Sequence, residues 1–403
     1  MSNAFLGRQA IYDYSLSVYG YELIHHCVSS DEAGDPREED AALSALIRLS
    51  AEGLSGGSPC FIDLNERFLG GESELPMVPE RVILQAGEGV RPTKEVLDGI
   101  RELKEKGAEL ALAGDPGRAG IEPFLELADY LKIDTGGMEP TELEAAADGL
   151  RSHGVPLLAE KVETKEELRA CQSAGFELFQ GQFLTRPEIA PGFKVPGNKV
   201  SQLKLMNSLL DPEVEMDELS ELISHDASLT YKLLRCANSA TYAPGQPISS
   251  ISQMIMMIGL RTVRKIVSAI VLMELNDQPG DLLAQSLVRA KMCEQLAAAT
   301  GEDDPASFYT VGLLSTLDAL TGASMEDVLE HLPLSPEIRS ALLEGEGDRG
   351  FALTCVRGFE SGDWGGVCYG ELGASELSMA YIDGVHYSRE IWGSVPTDER
   401  PAA

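Results

Sequence analysis

The segment "ELALAGDPGRAG", residues 109–120, joins a short apolar run to a turn rich in glycine and proline. The run Leu110–Leu112 has the length of a strand buried on both faces, and the turn ends it. In α/β enzymes, charged ligands to metal or phosphate commonly follow such strands. Here the positions hold Ala113 and Gly114. The segment therefore predicts a parallel strand whose end lacks ligand side chains.

The same pattern recurs along residues 1–190. Apolar runs start about every 20–28 residues, near the ~30-residue length of a βαβ unit, with amphipathic stretches such as 93–106 between them. This alternation predicts parallel strands covered by helices and favours a (β/α)₈-type barrel over a bundle or sandwich. The runs are Cys60–Leu64, Val82–Leu84, Leu110–Leu112, Tyr130–Ile133, Pro156–Ala159 and Phe176–Phe179.

The second half of the chain has a different periodicity. The segment 186–198 is rich in proline and glycine and is typical of a linker. Beyond it, apolar residues recur at three- and four-residue spacing without a strand pattern, which predicts an all-α domain. We therefore expect α/β plus all-α architecture: a barrel over 1–187, a linker over 188–199, a helical domain over 200–392 and a flexible tail over 393–403.

The amino-acid composition limits the kinds of molecule that this protein is expected to bind. The chain has 65 acidic and 32 basic residues, for a net charge of −33, and such a field repels nucleic acid. The best basic patch, Arg261–Lys265, is short and is expected on the exposed side of a helix. Seven scattered cysteines without a C-x-x-C pair speak against a zinc knuckle or disulfide framework. Without a bilayer-length apolar run or a signal-peptide pattern, we expect a cytoplasmic protein that inserts into no membrane.

Five segments resemble, in order and spacing, the EAL family of cyclic di-GMP phosphodiesterases. The resemblance implies a TIM-like barrel that hydrolyses a phosphodiester with two divalent cations held by carboxylates. Glu22-Leu23-Ile24 stands at the family's Glu-Ala-Leu or Glu-Leu-Leu signature. The segments are "RQAIYDYSLSVYGYELIHH" (8–26), "FIDLNERFL" (61–69), "YLKID" (130–134), "LLAEKVETKEEL" (157–168) and "GFELFQGQFLTRP" (175–187).

Several positions match residues that such sites keep. Glu22 stands where the family has a metal-ligating glutamate, and the other matches are a lysine, two glutamates and a glutamine. These side chains are candidates for ligand binding, and they could equally form an ion-pair network that only holds loops in place. The candidates are Glu22, Leu23, Lys132, Glu160, Glu163 and Gln180.

Four positions depart from the family pattern. Asp63 replaces an asparagine ligand, Gln85 replaces a glutamate, and Ala113 and Gly114 replace the paired aspartates. Because Mg²⁺ and Mn²⁺ prefer carboxylate oxygens, these changes predict that the metals and the catalytic residues are lost. Asp115 lies one position beyond the second aspartate. Glu88 lies too far beyond Gln85 in the sequence to be an obvious replacement for the glutamate that the family has there.

The segment 222–267 resembles the HDOD family, which the resemblance identifies as interaction modules related by fold to HD-type metal phosphohydrolases. His225-Asp226 matches the HD dipeptide, but a metal site needs several converging ligands, and the second expected pair reads Ser315-Thr316. We predict no metal in this half of the chain and a helix-start role for Asp226.

The sequence also suggests structural roles for a few residues of this half. Loop-fixing or capping roles are expected for Asn238, Ser239 and Tyr242. Met254, Met256 and Met257 are expected to fill the core, with a partner-binding patch as the alternative.

Together the two halves are similar to a two-domain class of bacterial signalling proteins. We predict a non-catalytic adaptor in cyclic di-GMP signalling that has no cofactor and binds a protein partner through the helical domain. Two alternatives stay open. One is a cyclic di-GMP receptor without turnover, and the other is an active phosphodiesterase that uses Mg²⁺ or Mn²⁺ in a rearranged site.

Overall fold

The computed structural model describes residues 4–27, 40, 43–44, 47, 54–73, 81–114, 120–185, 195–210, 214–238, 247–275, 281–332 and 334–394. The chain divides into two compact units. The first contains Met1–Arg186 and Arg357–Met379, and the second contains Pro187–Val356 and Ala380–Ala403. The predicted domain limits stay a prediction, and they place 357–379 with the other unit. Residues 395–403 of the expected tail lie outside the described part of the chain.

The first unit contains a closed eight-stranded barrel with the strands in chain order. Strands β2 to β8 are parallel, whereas β1 pairs antiparallel with both β2 and β8. The barrel prediction is confirmed, although the antiparallel hairpin at its start was not foreseen. The strands are β1 Ala4–Tyr12, β2 Val18–Cys27, β3 Cys60–Leu64, β4 Val82–Ala86, β5 Glu109–Ala113, β6 Tyr130–Asp134, β7 Leu157–Val162 and β8 Leu178–Gly181.

The barrel interior has an apolar layer followed by a polar one. Side chains alternate between the two faces of a strand, so the residue two positions farther along points to the same interior. On six strands, a buried apolar residue is followed two positions later by a residue at the carboxyl end of the strand. Most of these second residues are polar. The apolar layer includes Phe61, Ile83, Ala111, Tyr130, Leu158 and Leu178, and the second contains Asp63, Gln85, Ala113, Lys132, Glu160 and Gln180.

Helices and a returning segment cover the barrel. The helix Lys165–Ala174 begins in a capping box in which Thr164 Oγ1 accepts from the Glu167 amide at 3.1 Å. From the returning segment, Trp364 stacks on Phe5 of β1 with ring centroids 5.4 Å apart. The helices of this unit before the linker are Glu66–Leu69, Lys94–Glu105, Glu122–Leu125, Pro140–Leu150 and Lys165–Ala174.

The rest of the described chain is helical and contains no strand, which confirms the predicted all-α second half. The helix Leu260–Leu275 is buried on all sides over its middle turns, where the consecutive residues 266–272 are all buried. No helix among the described residues has the length and apolar character needed to cross a membrane. The helices are Gly197–Leu210, Met216–Ser224, Ala227–Ala237, Ile251–Ile258, Leu260–Leu275, Asp281–Thr300, Pro305–Leu314, Leu317–Thr321, Met325–Leu329, Pro336–Leu343, Gly347–Ser361 and Ala374–Ser394.

Local contacts in this half test two smaller predictions. Asp226 caps the helix Ala227–Ala237 by accepting from the Leu229 amide at 3.0 Å, which confirms its helix-start role. Asn238 fixes the following loop by accepting from the Ile248 amide at 2.8 Å. Ser239 and Tyr242 lie outside the described residues.

The three methionines do not share one environment. Met254 is fully buried, as expected, but Met256 and Met257 are 71% and 49% exposed. The core-filling prediction is therefore wrong for these two residues. Helical spacing explains the exposure of Met256, which lies about 200° around the helix from Met254 and so points away from the buried face. Met257 is three positions after Met254, close to the same face, and is exposed next to the end of the helix at Ile258.

Candidate active site at the barrel mouth

A buried carboxylate organises the carboxyl end of the barrel. Glu22 of β2 is 8% exposed, and its Oε1 accepts from Lys132 Nζ at 2.7 Å and from Gln85 Nε2 at 3.1 Å. Its Oε2 accepts from Gln180 Nε2 at 2.5 Å. The donors come from three other strands, β4, β6 and β8. The barrel fold therefore brings together residues that are more than sixty positions apart in the sequence.

The surroundings of this carboxylate keep it ionised. Burial by itself raises the pKa of Glu22, but the charge of Lys132 and the three hydrogen bonds outweigh it and hold the pKa below its ordinary value. Burial likewise lowers the pKa of Lys132, but Glu22 and Glu160 raise it above its ordinary value. Both members of the pair are therefore charged at neutral pH.

Lys132 also reaches the neighbouring strand. Its Nζ lies 2.8 Å from Oε2 of Glu160 on β7. Directly after Glu160, the register of β7 with β8 shifts, and Lys161 has a φ of +58°, a conformation that non-glycine residues seldom adopt. Lys161 Nζ pairs with Asp134 Oδ2 at 2.6 Å at the exposed rim. The irregular backbone at this point thus leaves Glu160 in the network with Lys132 and places Lys161 in a surface ion pair.

Two buried oxygens at the mouth have no hydrogen-bond partner in the part of the chain that the structure describes. They are Oε1 of Gln85 and Oε1 of Gln180. The amide orientations are fixed by Glu22, because a flip would turn an amide oxygen towards its carboxylate. A buried acceptor without a donor costs about 1–3 kcal/mol. Each of these oxygens is a position at which a bound hydrogen-bond donor or cation would be stabilised.

The other predicted site residues do not all line the barrel mouth. Leu23 is buried and alternates with Glu22, so it points to the opposite face of β2 and does not line the mouth. Glu163 follows β7, and its amide donates to Glu167 Oε2 at 2.6 Å. Ala113 is the register partner of Lys132. Asp63 is an exposed residue near the end of β3.

Glu88, which the sequence places too far beyond Gln85 to replace it obviously, lies close to the end of the neighbouring strand β5. A Cβ added to Gly114 would lie 2.4 Å from Glu88 Cγ and 3.1 Å from its Oε1. Glu88 therefore extends from the turn after β4 over the end of β5. Separation along the chain hid this contact, although β4 and β5 are neighbours in the barrel. Asp115, the other acidic alternative, lies outside the described residues.

The side-chain atoms at the mouth that could coordinate a cation are oxygens of carboxylates and amides. Within the described ranges, no group of three or more His, Cys, Asp or Glu side chains is arranged to hold a metal ion. An all-protein metal centre is therefore not formed by these residues. Oxygen donors are nevertheless the ligands that Mg²⁺ and Mn²⁺ prefer, and Mg²⁺ is commonly held by one or two carboxylates completed by water and substrate phosphate. The unpartnered amide oxygens fit an open site of this type.

Comparisons with known proteins cover both halves of the chain. The HDOD domain model matches residues 196–331. The chain is 30% identical over 405 residues to the cyclic di-GMP phosphodiesterase CdgJ of Vibrio cholerae, spanning 97% of this chain and 94% of that protein. It is also 30% identical over 373 residues to the uncharacterized protein YuxH of Bacillus subtilis, spanning 89% and 91%.

Solved structures similar to the chain contain EAL domains. The YkuI protein of Bacillus subtilis, solved with c-di-GMP and calcium, is 18% identical, with a TM-score of 0.40, covering 64% of this chain and 73% of that one. An EAL domain protein of Listeria monocytogenes is 15% identical, with a TM-score of 0.38, covering 46% and 88%.

Two predictions are corrected by these comparisons. The expectation that the chain is not an enzyme is contradicted by its relationship, over nearly its whole length, to a protein named as a phosphodiesterase. The expectation of no cofactor is contradicted as well by the same relationship to a protein named as a cyclic di-GMP phosphodiesterase. Both predictions came from comparing residue types position by position at the strand ends.

Proposed function

Because the chain belongs to the family of proteins that join an EAL barrel to an HDOD domain, we propose that it is a metal-dependent cyclic di-GMP phosphodiesterase with a rearranged site. The observation that carries the proposal is the 30% identity to CdgJ over 97% of the chain. The barrel mouth around Glu22 supports it, because it combines a buried ionised carboxylate, a lysine and unpartnered amide oxygens.

The residues of the mouth have separate roles in this proposal. The ammonium of Lys132 offsets the negative charge of Glu22 and Glu160 and provides positive charge where a phosphodiester enters an otherwise acidic mouth. The buried amide oxygens of Gln85 and Gln180 would accept hydrogen bonds from the substrate or help to hold a cation. A divalent cation, when bound, supplies an activated water and neutralises phosphoryl charge. Rigid strands hold these groups in place, which preserves their orientation during binding.

The first test is product formation by the full chain. Wild-type protein with cyclic di-GMP and Mn²⁺ should release the linear dinucleotide, detected by chromatography. Glu22→Gln should reduce the rate at least 100-fold, because it removes the charge that the other groups surround. Glu95→Gln, at an exposed position on the helix Lys94–Glu105, is the matched control and should retain the wild-type rate. Binding of cyclic di-GMP without any product would overturn the proposal and leave a receptor.

We also propose that the helical half binds a protein partner, supported by exposed apolar side chains in two consecutive helices. Tyr231 is 59% exposed, and Met256 and Met257 are exposed on the next helix. A photo-crosslinking residue placed at Met256 in the native host should capture one defined protein. The same residue placed at exposed Glu218 is the control and should not capture that protein. Equal capture from both positions would refute this role.

A further inference from the structure

The β1–β2 hairpin continues past Glu22 on the face that carries its carboxylate. Gln9 of β1 is the register partner of Glu22, and Gln180 Nε2 donates to both side chains, at 2.7 Å to Gln9 and 2.5 Å to Glu22. Directly opposed residues of antiparallel strands share a face, and so do residues two positions apart along one strand. The face that lines the mouth therefore continues through two further register pairs, Gly7 with Ile24 and Phe5 with His26.

A segment from the second half of the sequence covers this face. The indole of Trp364 is parallel to the rings of Phe5 and His26, with centroids 5.4 and 6.2 Å away. A Cβ added to Gly7 would lie 2.8 Å from the carbonyl oxygen of Phe359 and 3.2 Å from Cη2 of Trp364. The absence of a side chain at Gly7 thus lets the segment 357–379, which belongs to the same compact unit as the barrel, lie directly against β1.

The segment is also hydrogen-bonded to the edge of β1. In the described part of the chain, β1 pairs with β8 only through Ile11 and Tyr12. At the other end of β1, Ser378 Oγ accepts from the Leu6 amide at 3.0 Å and donates to the Ala4 carbonyl at 3.2 Å. Ser378 is 3% exposed. Its hydroxyl therefore takes the place of a neighbouring strand and fixes the segment beside the mouth.

The aromatic cluster has a buried base and an accessible rim. Phe359 is fully buried and meets the rings of Phe5 and Trp364 edge-on, at interplanar angles of 90° and 87°. Trp364 is half-buried, and His26 is exposed. The two residues after Trp364 are exposed glycines, which have no side chain to cover the indole. Two parallel rings supported from one side are thus accessible on the face that carries Glu22.

We propose that Trp364 and His26 form a stacking site for one purine base of the cyclic dinucleotide. This inference rests on the proposed phosphodiesterase function and adds to the substrate site a residue that no barrel strand supplies. Aromatic side chains bind the π-face of a nucleobase, and rings already held in place lose little freedom when they do so. His26 lies four residues beyond Glu22, roughly 13 Å along an extended strand, so a dinucleotide bound at Lys132 can place one base there.

A competing role for Trp364 is to anchor the segment to β1 without contacting substrate. An anchor would matter equally for every phosphodiester, whereas a stacking residue matters only for a substrate that has a base. Methyl 4-nitrophenyl phosphate separates the two roles, because its ring is attached directly to the phosphate and cannot reach His26. Trp364→Leu keeps an apolar side chain against Phe5 and removes the indole plane.

The test is a titration of the full chain with cyclic di-GMP in the presence of a chelator, followed by tryptophan fluorescence and calorimetry. The chain has two tryptophans, so Trp392→Phe leaves Trp364 as the single reporter, whose emission a stacked base should quench. Trp364→Leu should weaken binding at least fivefold, Trp364→Tyr should recover most of the affinity, and Trp392→Phe should match wild type. Circular dichroism checks that each variant is folded. Unchanged Trp364 emission on binding, equal or tighter binding by Trp364→Leu, or no binding by wild type would overturn the inference.

The hydrolysis assay distinguishes this failure from failure of the proposed function. With Mn²⁺, Trp364→Leu should raise KM for cyclic di-GMP at least fivefold and leave hydrolysis of methyl 4-nitrophenyl phosphate unchanged. An equal loss with both substrates would leave Trp364 as an anchor and overturn the stacking site, while the phosphodiesterase stands. If cyclic di-GMP quenches Trp364 but no linear product forms, the stacking site stands and the phosphodiesterase is wrong.

Discussion

The substitution Lys132→Met removes the ammonium group that compensates the buried carboxylate of Glu22. Glu22 is 8% exposed, and Lys132 donates to it at 2.7 Å and to Glu160 at 2.8 Å. Removing one partner of a buried ion pair costs about 3–5 kcal/mol, since the other charge stays buried. We therefore expect the free energy of unfolding to fall by about 3–5 kcal/mol at pH 7. Lys161→Met is the matched control, because its pair with Asp134 is exposed and contributes about 0–1 kcal/mol.

The pH dependence gives this prediction a second signature. The pKa of Glu22 is lowered from 4.5, so its contribution is present above that pH and is lost as pH falls through the folded-state pKa. The pKa of Lys132 is raised from 10.5, so its contribution is lost only as pH rises through the higher value. Without Lys132, burial raises the pKa of Glu22. The cost of Lys132→Met should then shrink below neutral pH as Glu22 becomes protonated.

Urea unfolding at pH 5 and pH 7, followed by circular dichroism, measures both effects, and hydrogen exchange of peptides from β2 and β6 assigns the loss to the barrel. The double variant Glu22→Gln/Lys132→Met removes both charges and should be more stable than Lys132→Met alone. A cost for Lys132→Met no larger than that of Lys161→Met, or a cost independent of pH, would refute the reasoning.

Three further predictions concern stability measured by urea unfolding. Gly114→Asp should destabilise the barrel by about 1–3 kcal/mol because of its positive φ, whereas Ala113→Asp should cost less; equal costs would contradict the strain argument. Asp226→Ala should cost about 0.5–2 kcal/mol through loss of a helix cap, and an unchanged midpoint would argue against the cap. Met254→Ala should cost about 2–5 kcal/mol and Met256→Ala less than about 0.5 kcal/mol, and the reverse order would show that the burial is misassigned.

Much of the barrel follows from local sequence patterns. A run such as Cys60–Leu64 is short, apolar and followed by a turn, and these features identify a buried parallel strand without any knowledge of its neighbours. The period of two then predicts that Phe61 and Asp63 share a face. Closure of the sheet turns that local pattern into a polar ring, and which side chains meet across that ring does not follow from the separate strands.

The features that sequence missed depend on contacts between distant segments. Glu88 and Gly114 are 26 positions apart, and only the pairing of β4 with β5 brings them together. The return of residues 357–379 to the first unit is of the same kind, because Phe5 and Trp364 meet through tertiary packing. Motif matching weighs each position separately and therefore cannot register a side chain that reaches over the end of the next strand.

The conversion of cyclic di-GMP to the linear dinucleotide by metal-depleted protein, before and after Mn²⁺ is added back, tests the account most directly. The account predicts no turnover by the depleted protein, restored turnover with Mn²⁺, and no restoration in Glu22→Gln. Wild-type protein that binds the cyclic dinucleotide yet releases no product with Mn²⁺ or Mg²⁺ would contradict it.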